Sequence, residues 1–348
     1  MKKIILISLL LFICGCNESN KTTTVSNGSV AKLSTVDGII KYVTPLPSVR
    51  SAERWDSPYG QGLTINTQHY KIHTTLLEPL MLRQIPAFVE AAWRQYESQL
   101  PVPVESGEPF VLYIFKDRLQ WEQFSKEFTG AQWPMYMKIK KGAYFLNDTC
   151  VAYNIGRSRT FSVIGHEGWH QFCHRFFKYR LPSWLDEGIA QLSEQSEFGN
   201  GQFVFQPAKN YAKLGALKLT MQGNRMIPLR NLILLNPGEV VLWEQADSAV
   251  MAFYAQSYAL VRFLREDNYG KRLANYHQML LGALNGTWPL DAAETKIASD
   301  KNAPVTAQWN SYLAQKLFSI YIGQDIEEKI EPEYLRFCAK ITYYISVK

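Results

Sequence analysis

The chain has 348 residues, of which 47% are hydrophobic and 13% aromatic, so it can bury a substantial core in one or two domains. Its formal net charge is +6, but the basic residues are scattered and form no run of five or more. This pattern excludes the concentrated basic surface that is typical of a nucleic-acid partner.

The first residues are organised like a secretory signal. Met1-Lys2-Lys3 is a positive start, and residues 4–13 are apolar, a run too short to span a bilayer as a mature helix. The next four residues, Ile13-Cys14-Gly15-Cys16, resemble the lipobox of bacterial lipoproteins. The resemblance implies that residues 1–15 are removed and that acyl chains on Cys16 anchor an exported protein in the cell envelope. The resemblance also favours the outer membrane, because Asn17 follows the lipidated cysteine. The alternative is an ordinary signal peptide that is cleaved without lipidation.

Residues 16–60 are predicted to be the lipid anchor and a flexible tether. Residues 17–35 are mostly Ser, Thr, Asn and Lys with few apolar side chains, and Pro45 and Pro47 indicate irregular structure. The main domain is expected to occupy residues 61–323. No role is assigned to residues 324–348, where charged residues are mixed with Tyr343-Tyr344.

Hydrophobic patterning predicts an α+β fold, with a small mixed β-sheet followed by a mostly helical half. Predicted strands occupy residues 63–75, 110–115, 142–146 and 150–155, and predicted helices occupy 77–100, 117–128, 247–266, 271–284 and 305–322. Pro86 is expected to kink or split the first of these helices.

A metal-binding pattern lies at His166-Glu167-Gly168-Trp169-His170, inside a helix predicted for residues 159–177. Residues four apart lie on the same face of a helix, so the two imidazoles can bind one ion. Glu167 then lies beside the ion, where a general base can take a proton from water. The alternative is a buried amphipathic helix with two hydrogen-bonded histidines.

A second helix is predicted to supply the third ligand. Pro182 stops the first helix, Ser183 is expected to cap the next one with Asp186 three residues on, and Glu187 falls in its first turn. A catalytic zinc takes three protein ligands and leaves a fourth position open. We therefore expect a metal site on two adjacent helices, in the cleft between the sheet and the helical half.

His166-Glu167-x-x-His170 followed by Trp184-Leu185-x-Glu187-Gly188-x-Ala190 is similar to the gluzincin group of zinc metallopeptidases. The closest resemblance is to the bacterial peptidase MA-like domains. It implies one Zn²⁺ per chain bound by His166, His170 and Glu187, with Glu167 as the base in hydrolysis of a peptide or protein substrate. The metzincin pattern is not met, because Cys173 and Phe176 stand where it needs glycine and histidine.

Other side chains are candidates for supporting roles. Glu194 and Gln191 could each accept a hydrogen bond from a metal-bound histidine, with a solvent-facing role as the alternative. In peptidase MA-like domains a tyrosine enters the site from a downstream helix; Tyr254 is favoured here over Tyr258 as a donor to the oxyanion, and core packing is the alternative. Residues 142–154 could offer a sheet edge to the substrate or form a plain hairpin.

His174 and Cys173 lie near the metal face of the same helix. His174 is expected to be a cation near a helix C-terminus, and Cys173 a buried hydrophobe, rather than ligands. Two other functional classes stay open: a zinc amidase that acts on cell-wall material, and a binding or structural lipoprotein without catalysis. The sequence leaves the oligomeric state unknown.

Overall fold

A computed structural model describes residues 33, 35–139, 142–236, 246–301 and 309–347. The predicted signal peptide, Cys16 and residues 17–32 and 34 of the predicted tether lie outside these residues. Within this described part of the chain, no helix is both long and apolar enough to cross a membrane.

The first half is built on a mixed sheet, as the sequence predicted. The sheet has six strands, in the order β1-β2-β3-β4-β6-β5. The strands are β1 (Ser51–Ser57), β2 (Gly60–Asn66), β3 (Tyr70–Thr74), β4 (Phe110–Phe115), β5 (Ala143–Leu146) and β6 (Thr149–Tyr153). The pairs β3–β4 and β4–β6 are parallel, and the others are antiparallel. β5 therefore lies at one edge of the sheet, joined to β6 by a tight turn at Asn147 and Asp148, both with positive φ.

Helices cover both faces of the sheet. They are α1 (Val36–Val43), α2 (Pro79–Glu97), α3 (Arg118–Thr129), the short α4 (Trp133–Tyr136) and α5 (Arg157–Phe176). α2 and α5 pack into the main core, while α3 covers a smaller aromatic cluster around Trp121 and Tyr144 on the other face. α2 runs through Pro86 as one helix, so this proline does not split it.

Two predictions in this half are wrong. The tether was expected to reach residue 60, but α1 buries Val36, Ile39 and Val43 in the main core, and β1 pairs with β2 along its whole length. Residues 63–75 were expected to form one strand, but the chain turns between β2 and β3. The Thr67 side chain holds this turn by accepting a hydrogen bond from the Tyr70 amide at 3.0 Å.

The second half is mostly helical. Its elements are α6 (Ser183–Ala190), the hairpin β7 (Ser196–Gly199) and β8 (Gln202–Phe205), α7 (Tyr211–Gln222), α8 (Leu229–Leu232), α9 (Ala246–Glu266), α10 (Leu273–Asn285), α11 (Ala292–Ser299), α12 (Gln315–Tyr321) and α13 (Glu331–Ile341). α13 buries Tyr334, Phe337 and Cys338 in the main core. The segment after residue 323, which was predicted to lie outside the main domain, therefore packs into the same core.

Candidate metal centre

Two glycines allow the helices around the histidines to approach closely. A Cβ atom on Gly165 of α5 would collide with the carbonyl oxygen of Ser193, and one on Gly188 of α6 would collide with the backbone of Ser257 in α9. The Tyr96 hydroxyl, from α2, also donates to the carbonyl oxygen of Gly165 at 2.9 Å. The histidine helix is therefore held between α2, α6 and the segment that follows α6.

The structure brings the three predicted ligands together. His166 Nε2 lies 3.3 Å from Glu187 Oε2, and His170 Nε2 lies 3.8 Å from the same oxygen. The three ligand atoms all lie within 4.8 Å of one another. The convergence arises because α6 packs directly on α5, as the sequence predicted.

The polar atoms of this cluster fit a cation. Glu187 Oε2 is buried and has no hydrogen-bond partner within the described part of the chain. A buried carboxylate oxygen without a partner is costly, so its position opposite two imidazole nitrogens calls for a positive charge between them. Two nitrogens and one carboxylate oxygen are also a ligand set found at catalytic zinc sites. The residues present therefore fit a zinc ion.

The electrostatics of the two histidines agree with this. Burial alone would lower the pKa of both imidazoles. At His166 the carboxylates of Glu187 and Glu194 outweigh burial and raise the pKa to about 10. At His170 those of Asp186 and Glu187 raise the pKa to about 9. In the metal-free protein, the site therefore stabilises positive charge.

Each histidine uses its other ring nitrogen to contact a carboxylate. His166 Nδ1 lies 3.0 Å from Glu194 Oε1, and His170 Nδ1 lies 3.2 Å from Asp186 Oδ2. Such contacts fix the ring and leave Nε2 for a metal. Glu194 occupies the place that the sequence predicted. Gln191 does not, because its side-chain amide donates to the carbonyl oxygen of Glu187 at 2.9 Å and makes no hydrogen bond to either histidine.

Asp186 has a different role from the expected one. Pro182 occupies the N-cap position of α6 without a side-chain cap, so Ser183 does not cap the helix, and Asp186 completes no capping box. Its carboxylate instead contacts His170 and accepts a hydrogen bond from Trp169 Nε1 at 2.9 Å. The signal for this was present in the sequence, since an acid stands directly before the third ligand.

The Glu167 carboxylate lies at the edge of the sheet. Burial raises its pKa, the two histidines lower it, and the backbone N–H of Phe145 in β5 donates to it. The carbonyl oxygen of Gly142 accepts from the Tyr153 amide at 2.8 Å. Because the bonding direction alternates along a strand, Ala143 and Phe145 direct their backbone groups to the open edge. The edge that the sequence suggested for substrate therefore lies beside Glu167.

Of the two candidate tyrosines, Tyr254 lies within electrostatic reach of both Glu187 and Glu167. Tyr258 is fully buried, and its hydroxyl donates to the carbonyl oxygen of Pro207 at 2.7 Å and accepts from Arg262 at 3.0 Å. Burial raises the pKa of Tyr254, and the charges of Glu187, Glu167 and Glu194 raise it further. Tyr254 is therefore close to the carboxylates of the cluster.

His174 and Cys173 are outside the three-residue cluster. The His174 ring packs on Phe145 with centroids 5.3 Å apart, and burial lowers its pKa. It is thus not the expected cation near the helix end; Lys301 fills that role by donating to the carbonyl oxygen of His174 at 2.5 Å. The half-buried Cys173 thiol has a pKa raised well above its usual range by burial and by Asp186. Cys150, Cys173 and Cys338 are all free thiols.

Lys213 of α7 and Asn210, the N-cap residue of that helix, were missed by the sequence analysis. Asn210 Nδ2 donates to Glu194 Oε2 at 3.1 Å, and Lys213 Nζ lies 3.2 Å from Glu194 Oε1. No motif includes them, and they follow Glu194 only after the β7–β8 hairpin. Their contact with the site comes from tertiary packing alone.

A cavity of about 700 Å³ lies away from this cluster, where β3, β4 and β6 end. Its lining residues are Gly60, Gln61, Thr75, Leu76, Leu77, Glu78, Lys116, Gln120 and Asn154. None of them belongs to the cluster of His166, His170 and Glu187.

The chain matches no protein-family model and no curated protein sequence. The resemblance to gluzincins therefore stays a prediction.

Proposed function

We propose that this protein is a zinc-dependent hydrolase of peptide bonds, of the gluzincin type. One observation carries the proposal: His166 Nε2 and His170 Nε2 converge on Glu187 Oε2, which is buried without a hydrogen-bond partner within the described part of the chain. His166, His170 and Glu187 would hold the ion. When bound, zinc supplies a Lewis acid that polarises a carbonyl group and acidifies water.

Glu167 is the proposed general base and acid. Its pKa is raised by burial, which brings the carboxylate closer to the range where it can both accept and return a proton. It would take a proton from the attacking water and deliver it to the nitrogen of the leaving amine. The two neighbouring histidines lower its pKa and so keep the basic form available.

The substrate would bind as an added strand on β5. The backbone groups of Ala143 and Phe145 point to the open edge, and an extended peptide can pair with them without regard to its sequence. A peptide there would displace the Glu167 carboxylate from the Phe145 amide and so release the base. The Tyr254 hydroxyl would donate to the carbonyl oxygen as negative charge develops on it.

The proposal places this activity at the cell envelope, and this part rests on sequence alone. Cys16 would carry the lipid anchor, with the outer membrane favoured by Asn17. The expected result is that the parent protein is found in the membrane fraction and that Cys16→Ser is released from it. Retention of Cys16→Ser in the membrane would contradict the lipid anchor.

The test of the activity is peptide cleavage by the full-length protein in detergent, followed by mass spectrometry of a mixed peptide library. We expect cleavage that stops when a chelator removes the metal and returns when zinc is added. Cleavage that a chelator does not affect would contradict the metal mechanism. Hydrolysis of cell-wall amides without hydrolysis of peptides would instead favour the amidase.

A further inference from the structure

Glu194, the carboxylate behind His166, has a hydrogen-bond or ion-pair partner for each oxygen. Oε1 lies 3.0 Å from His166 Nδ1 and 3.2 Å from Lys213 Nζ, and Oε2 accepts from Asn210 Nδ2 at 3.1 Å. The same oxygen therefore contacts the imidazole and an ammonium group. The position of this carboxylate depends on Lys213 as well as on the histidine that it orients.

The Lys213 ammonium also contacts the ring of Tyr254. Nζ lies 5.4 Å from the centroid of the Tyr254 ring, within the range of a cation–π interaction. The Lys213 side chain is only 16% exposed, and lysine is seldom buried to this extent without a charged partner. One ammonium group thus joins the carboxylate behind His166 to the ring of Tyr254.

The first turn of α7 holds Lys213 in this position. Asn210 caps the helix by accepting a hydrogen bond from the Lys213 amide at 3.3 Å. Its side-chain amide also donates to the carbonyl oxygen of Gln191 at 3.2 Å, which ties the cap to the segment after α6. The backbone that carries Lys213 is therefore tied to the segment that carries Glu194.

We propose that Lys213 is a positioning residue of the metal centre, which holds Glu194 against His166 and the Tyr254 ring beside the site. The inference rests on the proposed zinc function. Loss of the ammonium would remove one of the three contacts that fix the Glu194 carboxylate, so that His166 would be oriented less well for the ion. Removal of a group that bonds directly to a metal-bound histidine typically costs about 10–100-fold in metal affinity, so the loss of Lys213, one contact further from the ion, should cost about 10-fold.

The test compares Lys213→Met, Lys213→Arg and a matched control, Lys209→Met, in the full-length protein. Methionine keeps much of the apolar stem, and arginine keeps the charge. Lys209 lies just before α7 and pairs with Glu197 at 3.6 Å on the surface, so its replacement removes the same charge without a contact to Glu194. The zinc dissociation constant is measured by competition with a coloured chelator, and the visible spectrum of the Co²⁺ form reports the geometry of the ligands.

We expect Lys213→Met to weaken zinc binding about 10-fold and to change the Co²⁺ spectrum. Lys213→Arg should recover most of the affinity, and Lys209→Met should match the parent. In the assay of peptide cleavage, Lys213→Met should lower kcat more than it raises KM, because Tyr254 would act on the oxyanion rather than on substrate binding. Thermal unfolding of the zinc-free proteins shows whether each variant is folded; if Lys213→Met is not, Lys213→Gln replaces it.

Unchanged zinc affinity and an unchanged Co²⁺ spectrum in folded Lys213→Met would overturn the inference. The same conclusion follows if Lys209→Met loses as much affinity, or if Lys213→Arg recovers none of it. These results leave the proposed function intact as long as the parent binds zinc. A parent that binds no zinc would overturn both proposals.

Discussion

Two clusters of histidine and carboxylate in this protein differ in how completely their polar atoms are paired. At the start of β3, His69 Nδ1 lies 2.7 Å from Glu90 Oε2, and the His69 amide donates to Oε1 at 2.9 Å. The His69 ring also stacks on Trp93, with centroids 4.1 Å apart. Both carboxylate oxygens are bonded, and the ring is covered. This cluster connects β3 to α2 and offers no ligand set for an ion.

In the cluster of His166, His170 and Glu187, one buried carboxylate oxygen has no hydrogen-bond partner within the described part of the chain. The Nδ1 atoms of His166 and His170 contact Glu194 and Asp186, but both Nε2 atoms face an oxygen of Glu187 that accepts no hydrogen bond from the described part of the chain. Native proteins rarely leave a buried polar atom without a partner, and the position of this oxygen opposite two imidazole nitrogens fits a bound cation. A histidine next to a carboxylate is thus not by itself a sign of a metal site: the His69–Glu90 pair bonds both carboxylate oxygens, whereas Glu187 Oε2 accepts no hydrogen bond from the described part of the chain.

The largest effect expected in this comparison is on turnover. Glu167→Gln removes the group that accepts the proton, so we expect kcat to fall by about 10²–10⁴-fold while one zinc per chain remains bound. The measurement combines peptide cleavage with metal analysis. Glu90→Gln, in the other cluster, is the control and should keep its activity. Activity close to that of the parent in Glu167→Gln would rule out this base.

The next effect concerns Tyr254. Removal of one donor to a developing oxyanion costs about 10²–10³-fold in kcat, so Tyr254→Phe should lower kcat by that factor with little change in KM. Tyr258→Phe is a matched control one turn away, because its hydroxyl bonds to Pro207 and Arg262 in the core. It should reduce stability rather than turnover. Equal kcat values for Tyr254→Phe and the parent would assign Tyr254 to packing.

A smaller effect is expected at Asp186, which orients His170 as Glu194 orients His166. Asp186→Asn can present an amide donor to His170 Nδ1, so zinc affinity should fall about 10–100-fold. Chelator competition measures this loss. If Asp186→Asn binds zinc as tightly as the parent, the contact serves α5–α6 packing through Trp169 and not the ion.

The smallest effect is expected in the His69 cluster, and it should appear in stability alone. Burial acts to raise the pKa of Glu90, but the hydrogen bonds from His69 and Thr67 outweigh it, so the net pKa lies below the ordinary value of 4.5. A carboxyl group of this kind stabilises the fold above its unfolded pKa, and the contribution is lost as pH falls through the folded pKa. We therefore expect Glu90→Gln to cost about 1–3 kcal/mol at neutral pH and less in acid.

Urea unfolding of the zinc-free proteins at two pH values measures that difference. Zinc binding by Glu90→Gln should equal that of the parent. A difference in stability that grows in acid would contradict the assigned pKa direction, and a loss of zinc would show that the two clusters are not independent.

Much of this arrangement could be predicted from local sequence. The histidine helix was placed within two residues at each end, because its apolar residues follow helical spacing and Pro182 prevents continuation. The convergence of His166, His170 and Glu187 was also predicted, since a short turn between two helices brings them together. The class of fold followed from patterning, and of residues 142–154, which were expected to offer a sheet edge or form a plain hairpin, β5 lies at the edge while β6 lies inside the sheet.

The errors have physical reasons of their own. The predicted tether wrongly included residues 36–57. Prolines and polar residues in this stretch obscure the short helix α1, whose three buried side chains pack only in the folded protein. Ser183 fits a cap by residue type, but Pro182 occupies that position. Asn210 and Lys213 could not be found, because their contacts with Glu194 span a hairpin and follow no spacing rule.

The most direct test of the central claim is the amount of zinc per chain in the parent and in Glu187→Ala, with Glu90→Ala as the control from the paired cluster. We expect one zinc in the parent and in Glu90→Ala, and a sharp loss in Glu187→Ala, because within the described part of the chain Glu187 is the residue that adds an oxygen to the two histidine nitrogens. A parent without zinc after reconstitution, or a Glu187→Ala protein that keeps a full equivalent, would contradict the three-ligand site.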